Sequence, residues 1–279
     1  MEKAKKYDVI VSWVITDRCN EKCAYCFTNE PSKELTKEDH YIIQNKLIGD
    51  EVSRNYYTGG EALLLPHLSE LIARAHDNGL LTRLNTNGIL LTQEKLKALK
   101  PYLDQIVMPF DSLDDDINEY VRKNRQHRQI VASKIAMIKD AGNINLQINT
   151  CLNRKNINAL DKLGAFLAEQ GIDRWKIRRF YPAAGKAAKN NGEFEISFEE
   201  YFQALNSVKE KYPGINTASK VHEDLTLRLM VSAQGNLYRM AKIEESHDDQ
   251  KNFYADHIYG NLLWDDINIR AISEQGQSK

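Results

Sequence analysis

Hydrophobic positions along the chain follow two alternating patterns. Short runs rich in β-branched and aromatic residues read as strands: DVIVSWVIT, SRNYYTG, LLTRLNTNG, QIVMPFDS, NLQINTCLN and RWKIRRFY. Between them lie longer segments whose apolar residues recur at three- and four-residue spacing: LTKEDHYIIQNKL, HLSELIARAHDN, TQEKLKALKPYL, HRQIVASKIAMIKDAG, NALDKLGAFLAEQG and SFEEYFQALNSVKEKY. Leu160, Leu163, Phe166 and Leu167 show the spacing that puts one apolar stripe on one side of a helix. Thr36 stands where an N-cap belongs, and Gly142 and Gly171 stand where helices should stop.

Strand–helix units of roughly 30 residues, repeated along the chain, require parallel strands joined by right-handed crossovers. The expected fold class is α/β, a partial (β/α)6 TIM-like barrel. The alternation stops at Tyr212-Pro213-Gly214, and LTLRLMVSAQGNLYRM reads as a hairpin turning at Gln234-Gly235-Asn236. Residues 1–215 are therefore expected to form the barrel and 216–279 a C-terminal extension.

A chain of 279 residues, 42% hydrophobic and 28% charged, fits one such domain with a full core and argues against disorder. Its formal charge of −1 gives no field that would concentrate it on a nucleic acid polymer or anionic lipid. The basic start MEKAKKYDVIVSWVI alternates too soon for a signal peptide, and no stretch reaches the roughly 18 apolar residues of a membrane helix. A cytoplasmic location is expected. Disulfides are disfavoured there, which turns the cysteines toward metal or catalysis.

Three of the four cysteines, Cys19, Cys23 and Cys26, stand in Cys-x3-Cys-x2-Cys spacing on the loop after the first strand. In α/β barrels that end of the strands carries the chemistry. A structural zinc takes four ligands and would need His40 or His67 as the fourth; iron–sulfur clusters take closely spaced thiolates such as these. Three thiolates on four irons leave one iron open.

Thr58-Gly59-Gly60-Glu61 closes the second strand, Asn85-Thr86-Asn87-Gly88 the third and Asp111-Ser112-Leu113 the fourth. With the cysteine trio, these motifs make about residues 8 to 180 resemble the radical S-adenosylmethionine (SAM) enzymes. The resemblance implies a [4Fe-4S] cluster whose open iron chelates SAM, and an electron donor such as flavodoxin or ferredoxin. Reductive cleavage would then give a 5′-deoxyadenosyl radical that abstracts hydrogen from substrate. By the same resemblance, the Gly59-Gly60 backbone accepts from the methionine ammonium and Glu61 supports that turn. Asp111 or Ser112 meets the ribose, Tyr25 lies near adenine, Arg122 meets the carboxylate, and Asn85 and Asn87 border the cofactor.

Side chains along a strand alternate faces. In the fifth strand Gln147, Asn149 and Cys151 share the face expected to look inward, with Leu146, Ile148, Thr150 and Leu152 toward the helices. In the sixth, Arg174, Lys176 and Arg178 share one face and Trp175, Ile177 and Arg179 the other. If the first set looks inward, three confined cations require an anionic ligand; if the strand ends early, they lie in solvent. Asn149, Arg174, Lys176 and Arg178 are thus the expected substrate site.

The order FDSLDDDINEY, QINTCLNRKN, RWKIRRFYPAAGK is most similar to viperin-like members, which dehydrate a nucleoside triphosphate. Two positions depart from them. Thr28-Asn29-Glu30-Pro31 stands where those members carry His-Thr-Ala-Lys, and Gln147 stands where their fifth strand carries Lys. A less charged anion follows: a monophosphate, a sugar nucleotide, or a carboxylate of a peptide or amino acid.

Cys151 has two readings, a small buried hydrophobe or a thiol that returns a hydrogen atom to a substrate radical, which would make the enzyme an epimerase. No cysteine follows it, so this chain supplies no auxiliary cluster. Three functions compete: a radical SAM enzyme acting on a small anion, a maturase or epimerase of a ribosomal peptide, and a non-enzymatic iron–sulfur protein. The seven histidines are scattered and most are expected at the surface, and Asp114-Asp115-Asp116 reads as the first turn of a helix.

Overall fold

The computed structural model describes residues 9–26, 33–182, 185–219, 228–240 and 255–277. All six expected strands and six expected helices form. Alternating along the chain are β1 (Ile10–Val14), α1 (Lys37–Gly49), β2 (Arg54–Thr58), α2 (Leu68–Asp77), β3 (Leu81–Asn85), α3 (Gln93–Leu99) and β4 (Gln105–Pro109). Then come α4 (Asp115–Arg122), α5 (His127–Ala141), β5 (Asn145–Leu152), α6 (Leu160–Glu169) and β6 (Arg174–Arg179). The short α7 (Gly185–Lys189) and α8 (Asn191–Phe194) precede α9 (Phe198–Lys211). Thr36 caps α1 in a reciprocal capping box with Asp39, and Gly142 and Gly171 end their helices at φ 65° and 60°.

β1 to β6 pair side by side, in parallel and in chain order. One face of this sheet, carrying Trp13, Tyr57, Leu84, Ile106, Ile148, Trp175 and Ile177, packs under the helices as the main core. The Trp175 indole N–H donates to Thr150 Oγ1 at 2.8 Å, and the Thr150 hydroxyl donates to the Phe110 carbonyl, so these two polar groups on the buried face are paired. Alternation then sends Gln147, Asn149 and Cys151 to the inner face, where the register sets them opposite Arg174, Lys176 and Arg178.

The tail adds strands beyond the expected hairpin. β7 (Asn216–Ser219) continues the parallel sheet beyond β6. β8 (Arg228–Val231) pairs in parallel with β1 at the other edge, and β9 (Asn236–Met240) and β10 (Ala255–Asn261) follow antiparallel, before α10 (Ile269–Gln277). One open ten-stranded sheet results, in the order β10-β9-β8-β1-β2-β3-β4-β5-β6-β7. The expected hairpin forms, with Gly235 at φ 85° in its turn. Leu229, Val231, Leu237 and Leu262 join the main core, so these residues extend the sheet. Among the described residues no helix is long and apolar enough to cross a membrane.

If β8 supports β1, Val231→Asp, which buries a carboxylate at a fully covered position, is expected to cost roughly 3 kcal/mol or more. Thermal unfolding checks this; an unchanged melting temperature would mean that the tail is only appended.

Candidate functional site

The cysteine loop leaves β1 and crosses the ends of the neighbouring strands. Ile15 N–H donates to the Thr58 carbonyl at 2.9 Å, Gly60 N–H to Thr16 O at 2.8 Å and Glu61 N–H to Arg18 O at 2.8 Å. A Cβ at Gly60 would stand 2.1 Å from Arg18 O, and one at Gly59 2.3 Å from Thr16 O. Backbone meets backbone beneath Cys19. Only glycine permits that approach.

Glu61, 1% exposed, locks the same turn to the third strand. Its carboxylate accepts from Leu63 N–H at 3.0 Å, the Thr86 hydroxyl at 2.8 Å and Asn87 N–H at 2.7 Å. Burial nevertheless raises its pKa. Asn87 passes the tie onward, donating to Asn20 Oδ1 at 2.7 Å within the cysteine loop. Asn85 accepts from Arg83 Nε at 3.1 Å.

A second tie comes from α4. Asp114 caps it, accepting from Asp116 and Ile117 N–H, as the acidic run predicted. Its last residue, Arg122, is 5% exposed. Arg122 Nε and Nη2 reach Asp111 Oδ2 at 2.7 and 2.6 Å, and Nη1 lies 3.3 Å from Glu21 Oε2 and 3.8 Å from Cys23 Sγ. The guanidinium stands 5.5 Å from the Tyr25 ring centre, and the Tyr25 hydroxyl donates to Asp111. Asp111 Oδ1 accepts from Cys151 N–H at 2.9 Å.

Burial alone would raise the Glu21 carboxyl, but His127, Arg122 and Asn124 together outweigh it and hold it at about 2. His127 is fully buried, its Nε2 3.1 Å from Pro109 O and its Nδ1 3.4 Å from Glu21 Oε1. His40 is buried as well, so these two stand apart from the surface position expected of most histidines. Ser112 is fully covered; its Oγ accepts from Asp114 N–H at 3.0 Å and its carbonyl from Asn118 at 2.9 Å. The Asp111 and Ser112 side chains are thus engaged within the β4–α4 turn and the Arg122 network.

Cys19 is exposed, and Cys23 and Cys26 are half-buried. Ala24 N–H donates to Val121 O at 2.8 Å and Ala187 N–H to Cys26 O at 3.0 Å, which ties the loop to α4 and α7. Burial, and after it Glu61, Glu21 and Cys26, raise the Cys19 thiol; burial pushes Cys23 up to about 12 despite Arg122. The charge of Cys26 contributes to raising both Cys19 and Cys23. Among the described residues no three His, Cys, Asp or Glu side chains form a group able to hold one metal ion. His40 and His67 face Ile15 O and each other, at 3.1 and 3.0 Å. A cluster gives each thiolate its own iron, so three reduced cysteines on one pinned loop fit it.

The structure brings Asn149, Cys151, Lys176 and Arg178 together on the inner face near the strand ends that carry the cysteine loop. Arg174 stands at the opposite end of β6, exposed. Lys176 is 7% exposed, and Asn149 accepts from Gln147 at 2.7 Å. Cys151 borders an apolar patch of Ala24, Val121, Phe180 and Phe194 with Tyr25; burial first, then Asp111, raises its thiol. The run Thr28–Pro31 lies outside the described residues. Arg83 escaped the sequence reading. It is 7% exposed, and its guanidinium lies 4.8 Å from the Tyr56 ring centre. The alternation in LLTRLN, with Thr82 and Leu84 in the wall, carried the signal.

The profile of the radical SAM superfamily matches residues 13–177, which span the thiol loop, the TGGE turn and the β4–α4 turn. The chain belongs to the radical SAM superfamily. It is an enzyme of that family, which uses a [4Fe-4S] cluster and SAM. The chain is 28% identical over 262 residues to an S-adenosylmethionine-dependent nucleotide dehydratase of Flammeovirga pacifica, covering 89% of this chain and 86% of that one. A dehydratase of the same description from Lacinutrix mariniflava is 30% identical over 213 residues, covering 72% of this chain but only 44% of the relative. Among solved structures, Streptococcus suis SuiB bound to S-adenosylmethionine superposes with a TM-score of 0.71 at 16% identity, covering 96% of this chain and 68% of that one. Native anSMEcpe with bound AdoMet also gives 0.71, at 15% identity, covering 96% and 81%. These likenesses show a radical SAM partial barrel.

Gly60→Ala must displace the Arg18 carbonyl. It is expected to cost roughly 2 kcal/mol and to lower iron retained after anaerobic reconstitution several-fold, measured by metal analysis. Cys19 and Cys23 hold their protons tightly, so cluster uptake should release protons and go further at mildly alkaline than at mildly acid pH. A pH-independent yield would contradict this.

Proposed function

We propose that this radical SAM enzyme acts on a phosphorylated nucleotide and that Cys19, Cys23 and Cys26 hold its cluster. The carrying observation is the inner-face pairing of Asn149 with Lys176 and Cys151 with Arg178, two cations and an amide beside the cysteine loop. The nucleotide dehydratase relatives, one matched over 86% of its length, favour the same class. When bound, cluster and SAM supply a 5′-deoxyadenosyl radical for hydrogen abstraction.

The chain's own residues then hold and orient. Gly59 and Gly60 carbonyls accept from the methionine ammonium, on a turn kept rigid by Glu61. Arg122 meets the cofactor carboxylate, its fork suited to that group and already oriented by Asp111. Tyr25 lies along adenine, and Asn85 and Asn87 border the cofactor at the end of β3; Asp111 and Ser112, whose side chains are buried and engaged within the chain, shape that wall from behind and do not take the ribose contact expected of them. Asn149, Lys176 and Arg178 bind the substrate phosphate; Arg174, at the far end of β6, has no part in it. A soluble one-electron donor completes the cycle.

A second reading rests on Cys151, which faces inward and keeps its proton because burial raises the thiol. Homolysis of its S–H bond would move one hydrogen atom to a substrate radical and leave a thiyl, which the external donor re-reduces with one electron and one proton. The product would be an epimer.

With reduced, reconstituted enzyme and SAM, nucleotides are expected to raise 5′-deoxyadenosine formation at least fivefold and sugar-deuterated nucleotides to pass deuterium into it. Mass spectrometry reads both; stimulation by peptides alone would reverse the assignment. Cys151→Ala is expected to leave SAM cleavage intact, and it abolishes the main product only if the thiol is the hydrogen donor.

A further inference from the structure

An electron for the cluster must come from outside the chain, and electron transfer weakens steeply with distance, so the reductant has to touch the protein close to the cysteine loop. Three segments border that loop away from the sheet. Lys22 is exposed on the loop itself, and Asn124 Nδ2, donating to Glu21 Oε1 at 3.0 Å, sets it beside the turn that carries exposed Lys123. Ala187 N–H donates to Cys26 O at 3.0 Å and Asn190 Nδ2 to Ala24 O at 2.7 Å, which seats α7 on the loop with Lys186 and Lys189 exposed.

Beside these lysines stands Tyr120, 39% exposed, its ring centre 5.1 Å from Lys123 Nζ and 4.5 Å from Lys155 Nζ. The ring lies 6.0 Å from that of Phe194, which in turn meets Tyr25 of the cysteine loop edge-on at 6.2 Å. The charges here do not cancel. Arg18 is paired with Glu34 and Arg125 with Asp116, whereas Lys22, Lys123, Lys155, Lys186 and Lys189 make no ion pair with a described residue. The exposed acids in segments 18–26, 119–125 and 185–193 are Glu119 and Glu193, and Glu193 accepts from the Tyr120 hydroxyl. On a chain whose formal charge is −1, this is a local cationic face. An exposed aromatic ring among cations has the form of an interface anchor inside a charged rim.

We propose that this face docks a small acidic protein carrying a one-electron flavin or iron–sulfur centre, with Tyr120 as the anchor and the lysines steering the approach. The proposal rests on the cluster reading above and adds where the electron enters. One electron leaves the partner's reduced centre and takes the oxidised cluster to its singly reduced state; no bond forms or breaks and no proton moves. None of these lysines belongs to the inner wall, so docking and substrate binding use separate surfaces.

Reconstituted holoenzyme is mixed with reduced flavodoxin, or with photoreduced deazariboflavin, which is small and uncharged, and bleaching of the cluster absorbance is followed by stopped flow. Lys123→Glu combined with Lys186→Glu and Lys189→Glu is expected to slow reduction by flavodoxin about tenfold or more, with deazariboflavin reduction and iron content unchanged. Wild-type reduction by flavodoxin is expected to slow about tenfold between low ionic strength and roughly 0.3 M salt, and carbodiimide to join flavodoxin carboxylates to Lys186 or Lys189. Equal flavodoxin rates in wild type and variant, or a salt-independent wild-type rate, overturn the proposal. A variant slowed equally with both reductants overturns it as well, because the lysines then act on the cluster itself. An RNA oligonucleotide that binds the wild type as tightly as flavodoxin does marks a general polyanion surface and also overturns it. Failure of deazariboflavin to reduce the wild type sinks the cluster reading, and this proposal with it.

Discussion

The guanidinium of Arg122, buried at the end of α4, meets Asp111 from the end of β4 and Glu21 from the cysteine loop. Through Asp111 it also reaches the backbone of Cys151 and the hydroxyl of Tyr25. A buried cation with two carboxylates satisfies its charge only while all three elements stay in place; removing one partner of such a set costs about 3–5 kcal/mol. Cofactor loop, strand end and substrate-facing strand thereby share one geometry. The TGGE turn holds the same loop from below, through backbone contacts that leave no room for a side chain.

This arrangement separates support from chemistry. Glu61, Asn87 and Ser112 commit their polar atoms to the chain itself, through bonds to Leu63, Thr86, Asn20, Ile89 and Asp114. The thiols, by contrast, stand at the loop's outer side or half-covered. Behind them the inner wall offers amides and cations. On the proposed reading, a radical formed beside such a wall meets a substrate already oriented by its charge.

Much of this was legible in the sequence because the rules involved are local. Strand period two sorted Gln147, Asn149 and Cys151 from Ile148, Thr150 and Leu152, and the structure keeps that division. Thr36, Gly142 and Gly171 marked helix ends by backbone chemistry alone. What stayed hidden was set by partners distant in sequence. The protein partners of Arg122 could not be read because Asp111 and Glu21 lie 11 and 101 residues away. His127 looked scattered until Pro109 O and Glu21 stood beside it. The four residues of β7 have no alternation to read, and nothing local reveals that β8 lies along β1. Arg83 followed the alternation rule already applied to β5 and β6, and was missed because the third strand was read for its turn.

Low-temperature electron paramagnetic resonance of the anaerobically reconstituted, reduced protein, before and after SAM is added, tests the central claim most directly. The account predicts about four irons per chain and a reduced-cluster signal that changes shape when SAM binds, both lost in Cys23→Ala. A cluster whose signal is indifferent to SAM, or a chain that takes up no iron, would contradict it.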